Sequence, residues 1–165
     1  EALRLLPAAL LAVAFPALCV APDTRLLKRL SLALATIGIA LAALLYTTAP
    51  SVLTVVYGTR FVEAAPALRI LALALPMFFL NYSLTHQVIA WDGQRAYLVI
   101  TMAALTTNLV LNTWLIPTGG MSGAATSTLL TELVVMAGCV VALRRTVRDP
   151  AFLPRATSRA AGSVA

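Results

Sequence analysis

Apolar residues run through this chain in long blocks divided by short polar stretches. The blocks cover residues 2–21, 30–49, 67–90, 96–116 and 123–143, each close to the ~20 helical residues that cross a bilayer. None alternates with period two over its length, which argues against barrel strands. The pattern predicts an all-α, polytopic membrane helix bundle of about five transmembrane helices. Pro7 and Pro16 interrupt the first block and Pro76 lies inside the third, whereas the second is unbroken and rich in Ala and Leu. Residues 23–29 read as a short basic linker, and residues 50–66 as a longer one in which Gly58 of "VYGTRF" ends a helix or turns the chain. "WDGQR" at 91–95 reads as a tight polar turn, and "PTGGMS" at 117–122 as a helix stop followed by two permissive glycines.

Composition strengthens the membrane reading. Of 165 residues, 61% are hydrophobic and 11% charged, more apolar and less charged than soluble domains. The net charge of +6 does not point to nucleic acid, because the basic residues sit between and after the apolar blocks. Arg25, Lys28 and Arg29, then Arg95, then Arg144, Arg145, Arg148, Arg155 and Arg159 alternate onto one side of the membrane. The other side has Arg60, with Arg4 and Arg69 close to or inside blocks. By the positive-inside bias the carboxy-terminal tail is cytoplasmic and "PTGGMS" faces outward. Residues 1–148 read as one helical lobe, and residues 149–165 as a disordered basic tail. With no initiating Met before the first block, the chain reads as a fragment that starts inside or beside a helix.

Polar residues within the blocks are the candidate functional positions. Asn108 and Asn112, four apart, share one helix face with Thr101 two turns back. That stripe has to meet another helix or a cavity. Gly123, Ser127 and Thr131 form a small-residue face for close helix packing. Glu132 falls near mid-bilayer, where an ionised carboxylate is costly. It is either a coupling site for a proton or sodium, or a substrate contact, or a glutamate that locks helices together. Pro76 removes a bond to the carbonyl of Ala72 and is a hinge candidate. Beyond it "NYSLTHQ", with Asn81, Thr85, His86 and Gln87, is polar on nearly every side and belongs among helices or against water. Arg69 could bind a phosphate bidentately or snorkel to headgroups.

Enzyme chemistry has no foothold in the sequence. No nucleophile has a base at suitable spacing, no phosphate loop is present and carboxylates do not cluster. Cys19 and Cys139 are far apart and read as buried single thiols, and His86 has no partner at metal-ligand spacing. Neither a cofactor nor a metal is expected.

Taken in order, "VLTVVYGTRFVEAAPALRILALALP", "NYSLTHQVIAWDGQRAYLVI" and "NLVLNTWLIPTGGMSGAATSTLLTELV" resemble the carboxy-terminal part of polysaccharide, or lipid-linked oligosaccharide, flippases. These belong to the multidrug/oligosaccharidyl-lipid/polysaccharide exporter superfamily. The resemblance covers about residues 30–145, and the last stretch is the most specific. It implies a protein of about twelve to fourteen helices in two lobes with substrate carried between them, this chain supplying most of the second lobe. It further implies ATP-independent alternating access in the bacterial inner membrane, with a lipid-linked glycan as substrate and an amino-terminal lobe as partner. Three rivals stand beside it: a cation-coupled multidrug exporter, a peptidoglycan-precursor flippase, and a non-transporting membrane module. The last would have residues 81–87 and Glu132 fully packed.

Overall fold

The computed structural model describes residues 24–148, and these are helical nearly throughout. Helix α1 (Thr24–Tyr57) is followed by a 3-10 turn (Thr59–Ala64), helix α2 (Ala65–Ala90) and a long helix α3 (Gln94–Arg148). α3 is folded at Gly120, where φ is 53° and ψ is −130°. Residues 94–119 form its first limb and residues 121–148 its second. No strand occurs among the described residues.

Three stretches are long and apolar enough to cross a membrane: Ser31–Tyr57, Thr59–Ala90 and Gln94–Thr146. The third, 53 residues, would measure ~80 Å if straight, so the fold at Gly120 divides it into two limbs of crossing length. The block at 30–49 thus lies in α1, that at 67–90 in α2, and those at 96–116 and 123–143 in the limbs of α3. The block at 2–21 and the tail at 149–165 lie outside the described residues.

Two expected boundaries are corrected. Residues 50–66 are not a linker, because α1 runs through Pro50 to Tyr57 and the 3-10 turn takes up most of the remainder. The missing N–H of Pro50 would orphan the carbonyl of Tyr46, but Nε of Arg69 donates to that oxygen at 3.2 Å. Pro117 likewise fails to stop its helix, which bends only at Gly120. The other turns follow their residues. α1 ends at Gly58, with φ 90°. After α2, Asp92 turns left-handed at φ 59°, Gly93 N–H donates to the Val88 carbonyl and Asp92 N–H to that of Ile89. Those crossed bonds make a Schellman cap. A Cβ on Gly93 would strike the Val88 backbone.

α1 and α2 pack antiparallel. Ser31 meets Ser83 at one end, and Ala49 and Leu53 meet Ala65 at the other. Between them a Cβ on Gly38 would sit 2.8 Å from Cα of Pro76, so two backbones touch there. The limbs of α3 are antiparallel too: Asn108 meets Thr131, Gly123 abuts the Leu115 backbone and Gly138 abuts Ile100. α2 and the second limb run parallel, because Asn81 reaches Glu132 and Val88 packs with Cys139 at one constant offset. α2 is therefore the middle helix, gripped by α1 on one side and the second limb on the other. The fully buried side chains are few, chiefly Leu34, Phe79 and Cys139. The outer faces carry Leu44, Val99, Leu109 and Trp114 exposed, the surface of a bundle whose solvent is hydrocarbon.

Candidate functional site: polar seams around helix α2

The polar run "NYSLTHQ" occupies α2 just past Pro76, and the packing explains why it is polar all round. Ser83 and Gln87 face α1: the Ser31 and Ser83 hydroxyls are 3.0 Å apart, and Nε2 of Gln87 donates to Ser31 at 3.2 Å and to Ser83 at 3.0 Å. Asn81 faces the second limb of α3 and is 4% exposed. Its Nδ2 donates to the backbone carbonyl of Glu132 at 2.8 Å and to Oε2 of the same residue at 2.7 Å. The Thr85 hydroxyl bonds back to the carbonyls of Asn81 and Tyr82. His86 Nδ1 lies 2.7 Å from the Tyr82 carbonyl. A carbonyl only accepts, so Nδ1 carries the hydrogen. The ring also stacks on that of Tyr82, with centroids 4.6 Å apart.

A second seam joins the limbs of α3. Nδ2 of Asn108 donates to the Thr131 hydroxyl at 3.2 Å and lies 3.5 Å from that of Ser127. Asn112 Nδ2 donates to Asn108 Oδ1 at 3.0 Å. Asn108 and Asn112 of the expected stripe point at the small-residue face of the same hairpin, whereas Thr101 is exposed and bonds back to the Tyr97 carbonyl. Gly123 and Ser127 are buried there, which lets the limbs approach closely.

Glu132 is half-buried, and no arginine or lysine among the described residues pairs with it. Oδ1 of Asn81 is buried without a hydrogen-bond partner, as is Oδ1 of Asn112. An orphaned acceptor in a dry interior is costly. The Asn81–Glu132 contact therefore combines a carboxylate, an amide bound twice to one residue and one unsatisfied oxygen. No group of three or more His, Cys, Asp or Glu able to hold a metal occurs among the described residues.

The sequence-derived candidates do not gather into one site. Asn81, Gln87 and Glu132 lie on the two flanks of α2, whereas Asn108 and Asn112 lie between the limbs of α3. Arg69 sits near the far end of α2 from the polar run, its guanidinium carbon 5.6 Å from the Tyr46 ring centroid and its Nε on the Tyr46 carbonyl. There it fills the bond that Pro50 removes. α2 passes through Pro76 without a break, and the proline is braced by Gly38. A shallow depression on the first limb is lined by Ala103, Thr106, Thr107, Val110 and Leu111, none of them among the candidates.

Sequence reasoning missed Ser31, Gly38 and the Tyr46 carbonyl. Ser31 is the only hydroxyl near the start of its apolar block, a weak signal. Pro50 followed by an arginine inside the next block was the stronger one. Arg69→Met should lower stability by about 1 kcal/mol, combining a cation–π contact with a bond to an otherwise unpaired carbonyl. Pro50→Ala restores the helical N–H, so the same substitution should cost clearly less in that background. Equal costs in both backgrounds, measured by unfolding in bicelles, would refute the assignment.

The described residues, helical nearly throughout, with three long apolar helices, polar side chains turned inward and grease turned outward, mark a membrane protein by class. No family model, curated protein or solved structure matches it.

Proposed function

We propose that the chain belongs to a secondary, ATP-independent flippase that moves a lipid-linked oligosaccharide or polysaccharide precursor across the bacterial inner membrane. The observation that supports this best is the Asn81–Glu132 pair. A carboxylate inside an apolar bundle costs several kcal/mol unless it is neutralised or bonded. Here an amide binds it, no cation among the described residues neutralises it, and an acceptor beside it lacks a partner. On this proposal a cation that enters beside the pair changes how the two helices are joined. In this reading Pro76, braced at Gly38, is the hinge of α2, and an amino-terminal lobe completes the substrate path. Arg25, Lys28, Arg29, Arg95 and the tail lie on the cytoplasmic side. Arg69 holds α1 to α2, in place of the phosphate role considered for it.

One observation favours a second reading, a non-transporting membrane module. Asn81, Ser83 and Gln87 are all buried and engaged across helix contacts, as pure packing would require.

A single experiment separates the two. Reconstituted with its amino-terminal lobe in vesicles without ATP, the protein should translocate a fluorescent lipid-linked oligosaccharide. Glu132→Gln, which keeps an acceptor and loses the charge, should slow this at least ~10-fold at unchanged protein level. Absence of translocation by the parent protein would leave the module reading; parental rates in Glu132→Gln would remove the glutamate from the mechanism.

A further inference from the structure

The antiparallel packing brings together arginines that are distant in sequence. Ser31 touches Ser83 and Gln87, and Ala96 and Leu143 pack around Val88, Ile100 and Cys139. The start of α1, the start of α3 and the end of α3 therefore share one end of the bundle. Arg29, Arg95, Arg144 and Arg145 are all exposed there, and none has an ion-pair partner among the described residues. The one described carboxylate in that region, Asp92 in the adjoining turn, has interactions of its own.

Each arginine position has the same neighbour. One helical turn toward the middle of the bundle, on the same face, stands an exposed apolar side chain: Leu32 after Arg29, Leu98 and Val99 after Arg95, Val141 before Arg144 and Arg145. Residues three or four apart on a helix share a face. The cations are thus directly above lipid-facing side chains, on the perimeter of the bundle. A guanidinium at that height meets phosphate oxygens, and its planar fork binds them bidentately.

We infer that this rim is a binding surface for anionic phospholipid headgroups, which form a retained shell of boundary lipid around one end of the bundle. The inference rests on membrane placement alone and stands or falls separately from transport. Four cations with no ion-pair partner among the described residues, at the headgroup level, favour a net-negative lipid over a zwitterionic one, by about fivefold for each arginine near the surface. Among the described residues the opposite end offers Arg60 alone as a free cation, since Arg69 is engaged with Tyr46.

The test uses the full chain in nanodiscs of phosphatidylcholine, with or without an equal part of phosphatidylglycerol, and counts lipids retained after detergent extraction by native mass spectrometry. Phosphatidylglycerol should be retained several-fold over phosphatidylcholine, less so at high salt. The joint variant Arg29→Gln, Arg95→Gln, Arg144→Gln, Arg145→Gln should lose the preference, and the matching lysine variant should keep most of it. The lysine set preserves charge and so keeps the comparison valid if the glutamine set misfolds. Equal retention of the two lipids by the parent, a preference that survives the glutamine variant, or one abolished by the lysine variant or by Arg60→Gln alone would each overturn the inference.

Discussion

Gly123→Ala should destabilise the bundle by about 3 kcal/mol, the upper part of the range for forcing extra atoms into a packed site. The added Cβ falls on the carbonyl of Leu115, with the Ile116 nitrogen also close. Both are backbone atoms, so no rotamer change relieves the clash and the limbs of α3 have to separate. That separation also stretches the bonds between the limbs, from Asn108 to Thr131 and from Ser127 to the Asn108 carbonyl. Two neighbouring glycines serve as controls. Gly119 has nothing near its would-be Cβ and no left-handed φ, so Gly119→Ala should change stability by less than ~0.5 kcal/mol. Gly120 has equal space but φ 53°, so Gly120→Ala should cost ~1–3 kcal/mol through strain alone. Unfolding in bicelles ranks the three, and a Gly123→Ala variant as stable as Gly119→Ala would show that the limbs do not touch there.

The second large effect lies between α2 and the second limb. Asn81→Leu should cost about 2 kcal/mol, because it leaves the Glu132 carboxylate without its amide. Glu132→Leu should cost somewhat less, since Asn81 keeps the backbone carbonyl it also binds. The double variant, leucine against leucine between apolar helices, should recover most of the loss, as replacement of a buried polar pair commonly does. The cycle thus has a coupling of about 1–3 kcal/mol. Additive losses would mean that the two residues do not act as a pair. On the flippase proposal, transport should stay impaired in the double variant even where stability returns, which separates a functional glutamate from a structural one.

The four blocks within the described residues and two of the turns were legible because their causes are local. Helical length, the Trp91–Gly93 cap and the Gly120 corner each depend on residues within a few positions. The Asn108/Asn112 stripe was legible for the same reason, since i and i+4 share a face whatever the fold. The Gly123, Ser127 and Thr131 face was legible as a surface for close packing, though not as the partner of that stripe. What packs across α2 was not. The meeting of Asn81 with Glu132, or of Ser31 with Ser83, depends on the register of helices far apart in sequence, and no local pattern encodes it. The residues 50–66 were misread because the proline rule is local. It states that an N–H is missing, not that a guanidinium from the next helix supplies another.

The corner at Gly120 bears on how the protein is made. Between Arg95 and Glu132 the chain carries no charged residue, and the corner that has to reach the far side, "PTGGMS", is uncharged throughout. Driving an arginine or aspartate through the middle of a bilayer is costly, and this hairpin never requires it. The two limbs are suited to enter the membrane together as a pre-folded pair during synthesis. On the proposed topology, Arg144 and Arg145 follow behind as a stop that holds the ends of the finished hairpin on the side from which it came.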